Sequence, residues 1–515
     1  MKSRIRIKQF IRRFALIGAP LSVLLIALAL PQTSDAQVLY GSITGNVTDT
    51  QGAVVGGATV TITHKETGQS RDGVTNANGS YDFPTVQAGT YMIKVSKSGF
   101  KTTTRDNVAV TLNTVTRADL SVEVGQVSET VLITAEAAQL KADRADVSAE
   151  LTSKPLQNLP VTLGRNYQNL FRTLPGITPP ENAHSIPSNP SRSLVFNVNG
   201  ASRSSNNTRI DGASATNVWL PHVTAYVPAL ESIETVNVVT NSFDAEQGLA
   251  GGAAINVQIK SGTNDFHASG FEFHNNQHLN ARNFFLPLNP NGTLRNKGKV
   301  VYNQFGGTFG GPILKDKLFF FTSYENTKDR RNAERANLTV PTAAIRNGDF
   351  RGTGVTIYDP FDAAGNVILP DKDNKIIRNQ ISCNGVLNVI CPNRINPITQ
   401  KIIALIPLPN QPATNPESNN YFASAPFIFD RWSLDNKVNY NLTQKFNMFG
   451  RFSVLDFFTF NQPTWGNALQ GFPIAGGNPG TGTGNTFVFS SGGVYTLTPN
   501  FIIDGHFGFV RMITN

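Results

Sequence analysis

Seven histidines and two cysteines are the side chains best suited to chemistry in this chain of 515 residues. Three ligand-type residues fall close together: Glu272, His274 and His278. Even spacing on a β-strand puts all three on one face, and two imidazoles with a carboxylate form a ligand set that zinc accepts. A strand that borders a wet interior carries the same pattern as polar lining, and no metal or other cofactor is expected. Gly248–Ala254 reads GLAGGAA, a run of small residues such as cradles phosphate. No Gly-Lys-Ser/Thr follows it, and the next apolar run has strand character, so a phosphate loop is discounted. Gly480–Gly484 alternates Gly and Thr without a following helix pattern and reads as a flexible loop. There is no Gly-x-Ser-x-Gly elbow, no His-Glu-x-x-His and no nucleophile with a base at matching spacing. The expectation is a protein that is not an enzyme.

Export decides how the cysteines are read. Met1–Arg13 carries six basic residues and no acid, Phe14–Leu30 is apolar, and Ser34-Asp35-Ala36 supplies small residues at −3 and −1. This is a secretory signal over residues 1–36, cleaved after Ala36. The formal charge of +9 falls with it: 38 basic and 34 acidic residues remain, a net +4. That balance gives no case for nucleic acid. In an oxidising compartment Cys383 and Cys391, eight residues apart in SCNGVLNVICPN, are expected to close a local disulfide.

No later apolar run reaches the length of a spanning helix, so an exported chain that crosses a membrane must do so as a closed barrel. From Phe266 onward the strands suit that role. Trp432, Leu434, Val438, Tyr440 and Leu442 share one face, interrupted by Asn436, and Arg431, Ser433, Asp435, Lys437, Asn439 and Asn441 share the other. Phe446, Met448, Phe452 and Val454 then oppose Asn447, Arg451 and Ser453, and a third hairpin joins Phe487–Leu497 to Phe501–Phe509. Strands of ten or more residues with one apolar, aromatic face and one polar face fit lipid outside and water inside. The proline-rich stretch 326–429 is expected to be a long extracellular loop.

The first 80 or so residues after the signal have a different rhythm. Short strands alternate between Gly/Asn turns across 40–122, a pattern for a small β-sandwich. The segments GSITGNVTDTQGAVVGGATVTI and TNANGSYDFPTVQAGTYMIKVSKSGF also resemble the carboxypeptidase regulatory-like domain, which groups with carbohydrate-binding-like folds. That resemblance implies a non-catalytic module. Tyr81, Tyr91 and Phe100 are read as core packing.

Residues 125–262 resemble the plug domain of a TonB-dependent outer-membrane receptor. The likeness lies in Arg209-Ile210-Asp211-Gly212, in Ile233-Glu234-Thr235-Val236 and in Gly248–Thr263 with Gly251 and Gly252. In such plugs the Gly-rich piece is a tight turn whose small side chains let the backbone approach the barrel wall. Glu129, Thr130, Val131, Leu132 and Ile133 form a short β run that resembles the segment near a TonB box, the peptide captured by strand addition. Further expectations are a hairpin of 194–199 with 208–211, turn and linker over 147–159, a helical segment over 166–173 and a buried strand over 233–240.

GGTFGGPILKDKLFFFTSYE and ISCNGVLNVICPNRINP resemble the Oar-like subgroup of these receptors. The fold class expected is mainly β: signal peptide, sandwich, mixed α/β plug, then part of a transmembrane antiparallel barrel over 265–515. A large barrel of this kind needs about 22 strands, so the chain reads as truncated at its C-terminus. The resemblance implies energised uptake across the bacterial outer membrane. Its partners would be TonB–ExbB–ExbD, outer-membrane lipid and a siderophore, oligosaccharide, peptide or other small-molecule ligand. The alternative is surface adhesion to polysaccharide with the barrel as an anchor.

Overall fold

The computed structural model describes residues 40–515 except 113, 127–129, 135–145, 162–163, 183, 243–249, 283, 286–296, 363, 412–416, 475–477 and 499–500. The signal sequence, Glu129 and Gly248 therefore lie outside the described residues. No described helix is long and apolar enough to cross a membrane.

The N-terminal domain is a two-sheet sandwich. One sheet holds β4 (Ser80–Val86), β1 (Gly41–Asp49) and β7 (Val115–Arg117), with β8 (Leu120–Val122) also on β1. The other runs β3 (Ser70–Val74), β2 (Thr59–His64), β5 (Gly89–Ser96), β6 (Thr102–Val110) and β9 (Thr130–Thr134). Alternation aims Ile43, Val47, Val60, Ile62, Ile93 and Val95 between the sheets, all essentially inaccessible. Tyr81 and Tyr91 are buried in the same cluster and Phe100 packs at its edge. The β9 strand is the notable addition. Residues read as a lead-in to the plug pair instead with the sandwich, in parallel, Thr102↔Thr130 through Asp106↔Thr134.

The middle segment, the expected plug, holds a sheet of the order β10 (Val147–Thr152), β13 (Ile233–Asn241), β14 (Ala254–Ile259), β11 (Asn207–Ile210), β12 (Ala213–Ser214). Two expectations are corrected here. Residues 147–159 form a strand and then a helix, Ser153–Asn158, because Pro155 sits in its first turn, where a missing N–H costs no intrahelical bond. Thr208–Asp211 does not pair with 194–199: β11 pairs with β12 and, in parallel, with β14, while Val195 and Val198 bridge back to Glu181 and Ile177. The two-residue turn 211–212 gives β11 its nearest partner, while 195–198 is taken up by the segment before it.

The third region is an antiparallel meander, β15 (His267–Asn276), β16 (Val300–Leu314), β17 (Leu318–Leu338), β20 (Tyr421–Thr443), β21 (Phe446–Asn461), β22 (Gly480–Thr498) and β23 (Phe501–Thr514). Between β17 and β20 the small hairpin β18 (Ser382–Cys383) and β19 (Val386–Leu387) lies in a loop closed by the Cys383–Cys391 disulfide. Two-to-three-residue turns join the strands at one end and long loops at the other, the pattern that puts the short turns on the inner side of the membrane. Val438, Leu442, Met448, Phe489, Phe501, Ile503, Phe507 and Phe509 point away from the plug and stay exposed. The polar interruption, Asn436, sits on this apolar face and accepts a hydrogen bond from its cross-strand partner Thr322 at 2.9 Å, which satisfies it away from water.

The long loop is shorter than 326–429. Strand β17 runs on to Leu338 and β20 starts at Tyr421, so the connection is 339–420. Residues 326–337 carry little apolar alternation. Their ladder to 421–432 and the ion pair of Arg330 with Asp430 at 2.7 Å hold them as strand.

Candidate functional site

The site is built from a turn and a wall. Asp211 and Gly212 form the two-residue connection between β11 and β12, with φ of 44° and 77°. Positive φ at both positions is the geometry that Asp-Gly adopts in a tight hairpin. It turns the Asp211 carboxylate toward the barrel, where β20 and β21 present cations at alternate, inward-facing positions. Lys437 Nζ donates to Asp211 Oδ1 at 3.0 Å and to the Ile259 carbonyl at 2.8 Å. Arg451 Nε lies 3.0 Å from Asp211 Oδ2, and its Nη2 donates to the Ile210 carbonyl at 3.2 Å. The plug backbone closes the ring, with Ile259 N–H donating to Asp211 Oδ1 at 3.2 Å. On the wall side Arg451 Nη1 donates to Ser453 Oγ at 2.6 Å, and Ser453 donates to Asp435 at 2.5 Å. All four charged side chains are buried.

A second anchor lies further along the same strands. Arg431 donates to Glu325 of β17 at 2.7 Å and to the Ser191 carbonyl of the plug at 3.1 Å. Glu325 also accepts from Gln304 at 2.8 Å, and Tyr302 donates to Gln304 at 2.9 Å. In a third, Arg165 of the plug pairs with Glu231, and its guanidinium lies 3.9 Å over the ring of Phe273 on β15. Burial raises the Glu231 carboxyl above its ordinary value, and Arg165 opposes that rise. Apolar contacts complete the interface: Phe321, Phe429, Leu455, Phe457 and Val488 of the wall belong to one cluster with Tyr167, Phe171, Ile210 and Val236 of the plug.

The sandwich meets both other parts at the inner end. Glu66 accepts through its carbonyl from Asn264 N–H at 2.9 Å, Gln69 donates to Asn447 at 2.8 Å, and Asn237 donates to the Leu112 carbonyl at 3.2 Å. A cavity of about 350 Å³ remains between them, lined by His64 and Glu66, by Glu234 and Gln258, and by Lys437 and Asn439. Burial raises the Glu234 carboxyl, with Lys260 and Lys437 opposing it.

The residues singled out from the sequence do not all gather here. Asp211 and Gly212 are at the centre. Arg209 is buried on β11 opposite Asn256, and Glu234 is half-buried at the cavity. Gly251 and Gly252 pack within the plug, their amides donating to the Ser205 carbonyl, and not against the wall. The close approach to the wall is made by Gly262, where a Cβ would come within 2.3 Å of the Phe320 carbonyl and 2.6 Å of that of Gly311. Thr130, Val131, Leu132 and Ile133 lie on β9, at the edge of the sandwich. Glu272 and His274 do not line the interior. Register pairs Phe273 with Gln304 and Phe271 with Gly306 on the inner face, which turns Glu272 and His274 outward, and His278 falls in the turn after the strand. Among the described residues no group of three or more metal-ligating side chains is close enough to hold an ion. Lys437, Arg451 and Arg431 were visible only as members of a polar strand face, and Glu325 only as the last residue of GGTFGGPILKDKLFFFTSYE. Basic residues recurring on faces otherwise made of Ser, Asn and a single Asp were the available signal.

Residues 258–515 match the outer membrane beta barrel domain family. The chain belongs to this family. The outer-membrane barrel is thus the wall described above, and residues 42–123 match the carboxypeptidase regulatory-like domain. The TonB-dependent transporter Oar of Myxococcus xanthus is 26% identical over 316 residues, which is 56% of this chain and 28% of that protein. The chain therefore spans little more than a quarter of the length of that curated relative. Similar solved structures include a mutant ferric enterobactin receptor, PfeA, of Pseudomonas aeruginosa (12% identity, TM-score 0.38, 71% of this chain and 41% of that one). The siderophore receptor PirA of Acinetobacter baumannii is another (13%, 0.31, 70% and 47%). This outer-membrane barrel protein is placed in the bacterial outer membrane by its barrel family.

Proposed function

We propose that the barrel protein is a gated transporter of the TonB-dependent kind, which takes up a ligand through its lumen when the plug is displaced. The observation that carries this reading is the buried Asp211–Lys437–Arg451 contact, by which the plug is held against the inner face of the wall. Such a contact is suited to being broken. Its groups exchange one another for water when the lumen hydrates, whereas the ladder hydrogen bonds of the wall have no such substitute in lipid. Ligand would bind on the outer side of plug and loops. The partner would be TonB with ExbB and ExbD, acting on the segment 129–133. Because Thr130–Thr134 is an edge strand of the sandwich, capture by strand addition would pull on that domain as well as on the plug. The ligand class stays open among siderophore, oligosaccharide and peptide, since loops set specificity.

The test is deletion of Gln126–Ala135 in the full-length protein. Uptake should stop while the barrel still inserts and shows heat-modifiable mobility on gels. Undiminished uptake in the deletion mutant would refute the assignment of this segment, and a barrel fraction soluble without detergent would refute the transporter.

A further inference from the structure

We propose that His184 and His222 form a two-imidazole site on the outer-facing side of the plug for a borderline divalent cation, Zn²⁺, Ni²⁺ or Cu²⁺. The two Nε2 atoms face each other at 2.6 Å, with ring centroids 4.8 Å apart and planes tilted by 30°. The residues are 38 positions apart, so the chain does not force this meeting. Two internally bonded loops produce it. Asn189 N–H donates to the Ser185 and Ile186 carbonyls behind His184, while Asn217 N–H donates to Val223 and Val223 N–H to Leu220 around His222. The loops are tied to each other by Ser191 Oγ donating to the Ala225 carbonyl at 2.8 Å and Thr224 N–H donating to Ser193 Oγ at 3.0 Å. Pro187 packs against Gly482, near the end of β22 that carries the long loops, which sets the pair toward the outer mouth. Both rings are half-exposed, so an ion has access.

Two facing Nε2 atoms hold one proton between them and leave a lone pair in use as its acceptor. A second proton would put two imidazoliums in contact. Burial, then Arg203 and His184, hold His222 below its ordinary value. Neutral imidazole is the form that binds borderline metals. With metal–nitrogen bonds of about 2.0–2.1 Å, cis ligands sit about 2.9 Å apart at a right angle and about 3.4 Å at a tetrahedral one. The nitrogens need to part by less than about 1 Å and the rings to turn so that both lone pairs converge on the ion, while the shared proton moves to Nδ1 of the ring that carried it, leaving both imidazoles neutral. The other coordination positions open to solvent. They are free for water or for the donor atoms of a chelator that brings the ion.

The test uses untagged full-length protein in detergent, with ZnCl₂ and immobilised Ni²⁺–nitrilotriacetate, whose two open cis positions match two cis imidazoles. One saturable Zn²⁺ equivalent is expected, weakened at least about tenfold in His184→Ala and in His222→Ala alike, and unchanged when His274 and His278 are both replaced by Ala. Zn²⁺ should also protect His184 and His222 of the wild-type protein from diethylpyrocarbonate, a readout that needs no variant to fold. Retention on the nickel resin that either single variant abolishes assigns the site to chelated as well as free ions. Zn²⁺ binding without retention assigns it to the free ion. No saturable Zn²⁺, wild-type affinity in either single variant, or loss of binding with His274 and His278 would overturn the proposal. None of these results depends on transport.

Discussion

The sandwich and the plug are both small β domains, yet they are held in opposite ways. The sandwich encloses a core of Ile, Val, Leu, Tyr and Phe that belongs to it alone. The plug shares its core with the barrel wall and adds buried charges that cross the boundary, Asp211 to Lys437 and Arg451 among them. Apolar burial is non-directional and resists any opening. A charge pair in a dry interface is different. It adds little net stability over an apolar replacement, but it fixes one register and fails sharply when one partner is lost. A domain meant to stay folded is served by the first arrangement, and under the proposed function a plug that sits in one place and then leaves is served by the second.

Removing one charge breaks the comparison most strongly. Asp211→Ala leaves Lys437 and Arg451 buried together without their anion, and is expected to cost about 3–5 kcal/mol at the plug–wall contact. The measurement is spontaneous conductance in planar bilayers with protease clipping of the plug. A silent, uncut variant would show that the contact does not hold the plug. Adding Lys437→Met should recover part of the loss, because the two residues touch, giving a coupling of about 0.5–3 kcal/mol in a double-mutant cycle.

A cavity in the sandwich should act locally. Ile93→Ala is expected to cost about 2–5 kcal/mol of that domain's stability, seen as an earlier unfolding step in urea with unchanged heat-modifiable mobility of the barrel. If plug leakage appeared as well, the two regions would be one cooperative unit. The outer loop offers a smaller contrast. Cys383→Ser opens a short disulfide loop worth about 2–3 kcal/mol to that loop alone. It should speed proteolysis within 339–420 and leave conductance unaltered.

The smallest effect is at the seam between sandwich and plug. Burial tends to raise the Glu66 carboxyl, but the hydrogen bond and charge of His64 outweigh it and lower it from 4.5 to about 2. A lowered carboxyl stabilises the folded form above its unfolded value and ceases to do so as pH falls through the folded one. Because His64 belongs to the sandwich too, the stability of the sandwich beside this seam should weaken as pH falls between about 4.5 and about 2. Glu66→Gln should remove that acid dependence, measured as the urea midpoint of the sandwich's unfolding step across this pH range. The half-exposed position keeps the effect modest.

Much of the architecture was legible because alternation is a local property. Trp432 and Lys437 declare their faces whatever lies beside them, Asp-Gly at 211–212 declares its turn, and the Val/Ile runs of the sandwich declare its core. Strand residues 326–338 were missed since polar alternation looks like loop until a partner strand supplies its hydrogen bonds. The plug helix at 153–158 was missed since Pro155 looks like a breaker unless it sits in a first turn.

What the chain fixed by itself, then, was period, turn type and the sign of each face, all of which depend on neighbours a few residues away. The meeting of Asp211 with Lys437, 226 positions later, was decided by the fold, as were the transfer of Thr130–Thr134 to the sandwich, the outward turn of Glu272 and His274, and the contact of His184 with His222. The first three depend on which strand lies beside which and in what register, and the last on how two plug loops are tied together. A shift of one residue in the barrel register would send Lys437, Glu272 and His274 to the opposite face.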